Sequence, residues 1–138
     1  MGLYQTFGTS QSLEQDGIIL DFGKGVKIKT RRAGGANSKF QKLLIKRTAP
    51  HKALLKQNLL DESQALEIMA GVYADAVIIG WEGVTDENDK PLAFNRENVI
   101  KVLLDLPDLF NAIQDATADH SNFQSEMVEA DTQELKKN

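Results

Sequence analysis

Across residues 61–80, Ala65, Leu66, Met69, Val72, Tyr73, Ala76, Val77 and Ile79 or Gly80 recur at three- and four-residue steps, while Glu62, Glu67 and Asp75 take the other side. That period predicts an amphipathic helix at the centre of the core. Asp61 followed by Gln64 has capping-box spacing, so the helix is expected to begin at Asp61 or Glu62. Gly80 is read as its stop, because glycine tolerates the left-handed conformation that ends helices. Gly71, inside the pattern, costs about 1 kcal/mol relative to alanine and predicts close helix packing. Trp81 and Val84 then alternate with Glu82 and Gly83, and a polar turn over residues 86–90 leads into Pro91, Leu92, Ala93 and Phe94. Two short extended pieces around a loop fit this pattern, and Pro91 keeps the second out of a sheet centre.

Earlier in the chain the period changes to two. Ile18, Leu20 and Phe22 alternate with Ile19 and Asp21, and Val26, Ile28 and Thr30 alternate with Lys27, Lys29 and Arg31, around Gly23-Lys24-Gly25. The expected result is an antiparallel hairpin with one buried face and one basic face. Residues 33–36 form a joint, Asn37 or Ser38 can cap a helix, and Phe40, Leu43, Leu44 and Arg47 give that helix its inner stripe. Pro50 breaks it, and a second piece from His51 to Gln57 carries Ala53, Leu54 and Leu55. Asn95 is an N-cap candidate for a helix with Val99, Ile100, Leu103 and Leu104 inward, and Pro107 suits the first turn of the next. Leu109, Ile113, Ala116, His120, Phe123 and Met127 form a heptad seam on that last helix, expected to dock on its own domain. The fold class expected is α+β: an N-terminal two-stranded antiparallel hairpin followed by a mostly helical bundle of four to five helices. Residues 1–16 read as a flexible arm, 17–128 as a single domain and 129–138 as a polar tail.

Charge divides the chain more sharply than hydrophobicity does. Residues 22–60 hold eleven basic side chains and no acid, whereas from Asp61 onward seventeen acids face five bases. Such asymmetry points to a face for a polyanion, or to two parts that attract each other within or between subunits. The chain has no cysteine, so the fold holds by packing alone, in keeping with a reducing cytoplasm. The first residues lack the basic start and apolar run of a secretion signal, and no apolar stretch approaches bilayer-spanning length.

Candidate chemistry is sparse. Asp86, Asn88 and Glu97 occupy the first, third and twelfth positions of a calcium-loop pattern, but Lys90 and Pro91 stand where a ligand and glycine are required. Gly23-Lys24 fails as a phosphate loop, since Gly25 replaces the magnesium-holding hydroxyl. His51 and His120 have no second histidine at ligand spacing, so no cofactor or metal site is expected. Asp115, Asp119 and His120 cluster on the last helix, where a carboxylate beside a histidine suits acid–base work but an exposed helical face is the favoured reading. The basic half could grip nucleic acid, although the net charge of −4 and the lack of interleaved aromatics argue against it.

The run IIGWEGVTDENDKPLAF, followed by NREN, LPDLF and DHSNF, resembles the tail assembly chaperones of long-tailed bacteriophages and prophages. The likeness covers roughly residues 18–128, with its distinctive words between Ile78 and Phe123. What the resemblance implies is a non-enzymatic factor of the host cytoplasm that binds the tape-measure or tail-tube protein and keeps it in solution until the tube polymerises. By that analogy a groove lined by Trp81, Phe94, Phe110, Ile113 and Phe123 would bury a partner's apolar helical stripe. The basic hairpin residues Lys27, Lys29 and Arg31 would meet an acidic protein surface, including the chain's own acidic C-terminal half, within one copy or between the copies of a homo-oligomer. The alternatives are a structural virion protein of the tail tip, tube or connector, and a nucleic-acid-binding accessory protein.

Overall fold

The computed structural model describes residues 2–124, so Met127 of the expected seam and the expected tail from Glu129 lie outside the described residues. Two short helices, α1 (Leu3–Phe7) and α2 (Gln11–Asp16), precede strands β1 (Ile18–Gly23) and β2 (Val26–Thr30). Next come α3 (Ser38–Thr48), a 3-10 turn (Ala49–His51), α4 (Lys52–Lys56), α5 (Glu62–Ala76) and β3 (Ile78–Glu82). Helices α6 (Arg96–Asp105) and α7 (Pro107–Ala118) and a closing 3-10 turn (His120–Phe123) complete the order. The class is α+β, with the hairpin and five helices where the period change placed them.

The hairpin has the register its alternation required: Ile18 opposite Thr30, Leu20 opposite Ile28 and Asp21 opposite Lys27. Lys24 and Gly25 both have positive φ, 53° and 80°, as a two-residue type I′ turn demands. β3 adds to the other edge of β2, antiparallel, so the sheet order is β1-β2-β3. This third strand corrects the expected helix end. α5 stops at Ala76, and Val77, Ile78, Ile79 and Gly80 leave the helix instead of extending it. Gly80 is no helix stop, because it pairs with Lys29 in the sheet. β-branched residues fit a pleated strand at least as well as a helix, and β2 offers the unpaired backbone that decides between them.

The core lies between one face of the sheet and the helices. Tyr73 of α5 stands at its centre, its ring edge-on to Phe40 of α3 at 5.5 Å and to Phe110 of α7 at 5.3 Å. Such pairs contribute about 0.5–1.5 kcal/mol each beyond the area they bury. Ile28, Val72, Val77, Val99, Leu103 and Ile113 close around them. On α6, Val99, Val102 and Leu103 are the buried residues and Leu104 is exposed, so the inner stripe is rotated from the expected one. On α7, Phe110, Ile113 and Thr117 are buried rather than Leu109 and Ala116. The helix ends at Ala118, where Asp119 caps the 3-10 turn by accepting from Ser121 N at 2.9 Å. That turn interrupts the heptad seam, and the side chains of His120 and Phe123 are set by the turn instead.

The expected caps form by different means. Asn95 accepts from Asn98 N at 2.8 Å, and Asp61 accepts from Ser63 N at 3.4 Å. Asn37, at the start of α3, makes no cap hydrogen bond. Its buried amide donates instead to the carbonyls of Arg32, at 2.9 Å, and Ala76, at 2.8 Å. One side chain thereby ties the hairpin exit to the end of α5.

Candidate interaction surfaces

Helices lie against one face of the sheet, and the other faces solvent. Alternation on β1 and β2 sends Ile19, Asp21, Lys27 and Lys29 to that open face, and Ile19 is 62% exposed. Ile19, Lys27, Lys29, Gly80, Trp81 and Glu82 line a shallow depression of about 250 Å³ there. Trp81 borders the depression but pairs with Ile28, so its indole lies on the other face, where Nε1 donates to the Leu92 carbonyl at 3.0 Å. Phe94 packs edge-on to it at 5.5 Å, with 42% of its own surface exposed. Cross-strand pairing sets Asp21 and Glu82 on either side of Lys27, so the row of lysines is bordered by acids. A phosphate backbone would meet mixed charge on this face rather than a basic track.

The expected contacts therefore divide. Lys27 and Lys29 lie on the open face, whereas Trp81, opposite the buried Ile28, packs against the core on the other face with Phe94 beside it. Phe110, Ile113 and Phe123 are interior residues, at most 2% exposed, so the proposed five-residue groove is not formed. The physical reason is that the heptad stripe which nominated them fills the domain's own core. Arg31 is also committed internally: its Nε donates to the Gln15 carbonyl at 2.6 Å.

Two charged knots hold the elements that carry this face. Glu14 of α2 is 2% exposed. It accepts hydrogen bonds from Thr9 Oγ1 and the Ala36 amide, and pairs with Arg32 Nη1 at 3.1 Å. Burial by itself raises the pKa of Glu14, but these donors and the Arg32 charge outweigh it and hold the carboxyl below its ordinary value. The stretch expected to be a flexible arm thus contains a carboxylate that fastens the joint at residues 33–36. Nothing in its spacing announced this, since Arg32 and Ala36 come from beyond the hairpin.

The second knot joins three helices. Asp75 of α5 receives Arg47 Nη2 of α3 at 2.7 Å and Arg96 Nε of α6 at 2.8 Å. Burial raises the Asp75 pKa, and the hydrogen bonds and charges of Arg96 and Arg47 more than reverse it. Gly71 lies one turn earlier, where an added Cβ would stand 3.3 Å from Arg96 Nη2 and 3.5 Å from Arg47 Nη1. Close packing at Gly71 is real, but guanidinium groups rather than a helix backbone provide it.

The polar turn keeps its own counsel chemically. Asp86 Oδ1 accepts from Asn88 N at 2.8 Å and Lys90 N at 3.0 Å, so the carboxylate at the first calcium-loop position stabilises the turn itself. His120, nominated with Asp115 and Asp119, has Nε2 3.1 Å from the Thr6 carbonyl and stacks near Phe7 at 5.2 Å. Among the described residues, no group of three His, Cys, Asp or Glu stands where it could hold a metal ion. No described helix is long and apolar enough to cross a membrane.

Residues 35–137 match the family model described as YdaY prophage protein. The chain belongs to that family. The match spans α3 to the last described residue and beyond, which includes the Arg47–Asp75–Arg96 knot and the Trp81–Phe94 pair. The hairpin that contributes Lys27 and Lys29 precedes it. No curated protein and no solved structure shows significant similarity to the chain. Family membership identifies a prophage-derived protein.

Proposed function

We propose that this prophage protein is a non-enzymatic tail assembly chaperone that binds the tape-measure or tail-tube protein in the host cytoplasm. The observation that carries the proposal is the open sheet face, where the exposed Ile19 supplies apolar area beside Lys27 and Lys29. An amphipathic helix with acidic flanks fits such a surface: its stripe covers Ile19, and its acids meet the lysines. The prophage family and the resemblance of residues 78–123 to tail assembly chaperones supply the biological setting. No step of this activity makes or breaks a covalent bond.

The test is co-expression with the neighbouring tail proteins, followed by affinity capture. Lys27→Glu/Lys29→Glu, both exposed, is expected to lower capture of the tail protein about tenfold or more. Undiminished capture by that variant rejects the face, and failure to retain any tail protein rejects the function. The runner-up is a structural virion protein, favoured by the edge of β1, which is unpaired within the sheet and could accept a neighbour's strand. Purified virions separate the two: stoichiometric presence supports the structural protein, and absence despite a requirement in assembly supports the chaperone.

A further inference from the structure

Two patches away from the open sheet face combine exposed leucines with charge of opposite sign. On α4 and the turn that follows, Leu54 and Leu55 are each 42% exposed and Leu59 is 65% exposed. On α4 their charged neighbours are Lys52 and Lys56, both exposed, and the exposed Asp61 and Glu62 follow beyond Leu59. At the junction of α6 and α7, Leu104 is 37% and Leu106 52% exposed, beside Asp105 and Asp108. Leu106 also lines a cleft of about 210 Å³ with Leu92 and Val102, rimmed by Asp86, Glu87, Lys101 and Asp105. Lys101 spans this rim, 3.5 Å from Glu87 and 2.8 Å from Asp105, which leaves the rim with net negative charge.

We propose that the protein associates with itself head to tail, the Leu54–Leu55–Leu59 patch of one copy seated on the Leu104–Leu106 patch of the next. Each patch by itself is poorly suited to pairing with its own kind, because lysine would meet lysine or carboxylate meet carboxylate. Joined to each other, the leucines leave water while Lys52 and Lys56 meet Glu87, Asp105 and Asp108. The two contacting surfaces differ, so the contact is heterologous: every added copy leaves one free patch of each kind, and growth ends only by closing a ring. The patches are small, so the association is weak, dependent on concentration and sensitive to salt. This inference does not rest on the tail-protein partner, since it uses neither Ile19 nor the lysines of the sheet.

Sedimentation velocity on the full chain tests it. At low ionic strength the wild type should show a sedimentation coefficient that rises with concentration, and roughly 1 M salt should return it to the monomer value. Lys52→Glu/Lys56→Glu removes one patch and Glu87→Lys/Asp105→Lys the other, so each variant alone should remain monomeric. Mixed in equal amounts, the two variants present opposite charge to each other at both kinds of contact, so association should reappear with copies of the two variants alternating. Circular dichroism checks that both variants are folded. A wild type that stays monomeric at every concentration overturns the proposal, as does an oligomer that neither variant dissociates. Binding of a tail protein with no self-association also rejects it, while leaving the chaperone reading intact.

Discussion

Helices α4 and α7 both carry apolar residues at helical spacing, yet α7 buries Phe110 and Ile113 almost completely while α4 leaves Leu54 and Leu55 at 42% exposure. The contrast teaches that a stripe gives a helix a face but does not give that face a neighbour. α7 has twelve residues and packs on α6, so its stripe reaches Tyr73. α4 has five residues, held between the Pro50 break and Asn58, whose φ is +53°. A single turn of helix cannot extend across the core, and its leucines remain at the surface. Charged groups show the same division: Glu14 and Asp75 are tied to several donors, whereas Asp105 meets only the exposed Lys101 among the described residues.

Substitutions should reproduce this ranking. Phe110→Ala, which removes an interior ring and its edge-on contact with Tyr73, is expected to cost about 3–5 kcal/mol in denaturant unfolding. A cost below about 1 kcal/mol would mean that α7 is not committed to the core. Glu14→Gln should cost less, about 1–3 kcal/mol, by weakening the acceptor for Arg32 and Ala36. It should also change the pH profile. Glu14 and Asp75 are held below their ordinary pKa values in the fold, so the stability they contribute is present above the ordinary carboxylate range. It is lost as pH falls below the ordinary carboxylate range and through the lowered values. Thermal melts of Glu14→Gln should show a shallower acid decline than wild type, and an unchanged slope would remove Glu14 from the account. Smallest of all, Leu55→Ser on α4 should alter unfolding by no more than about 0.5 kcal/mol. A larger loss would show that α4 belongs to the core after all.

Much of the architecture was legible in residue patterns. The hairpin followed from alternation around Lys24-Gly25, α5 from its apolar steps after Asp61, and the break between α3 and α4 from Pro50. What failed to show was of two kinds. The start of β3 was concealed because Val77 and Ile79 continue the helical period of α5, and only the free edge of β2 draws this stretch into the strand that the extended piece from Trp81 continues. Charge pairing was concealed because Glu14, Arg47 and Arg96 look like ordinary surface residues until their partners converge. The candidate contacts divided on the same line. Lys27 and Lys29 were placed by strand alternation, whereas Phe110, Ile113 and Phe123 carried a hydrophobicity that suits a core and a groove equally.

Period, turn residues and the segregation of lysines from carboxylates are local properties, and the chain by itself determined them: an α+β order, one basic half and one acidic half. Tertiary structure alone decided which apolar residues are covered, where α5 gives way to β3, and how Asp75 gathers two arginines from different helices. The reason is range. A residue's intrinsic preference acts over a few neighbours in sequence, but burial, strand pairing and charge pairing depend on groups that only the finished fold brings within a few ångströms.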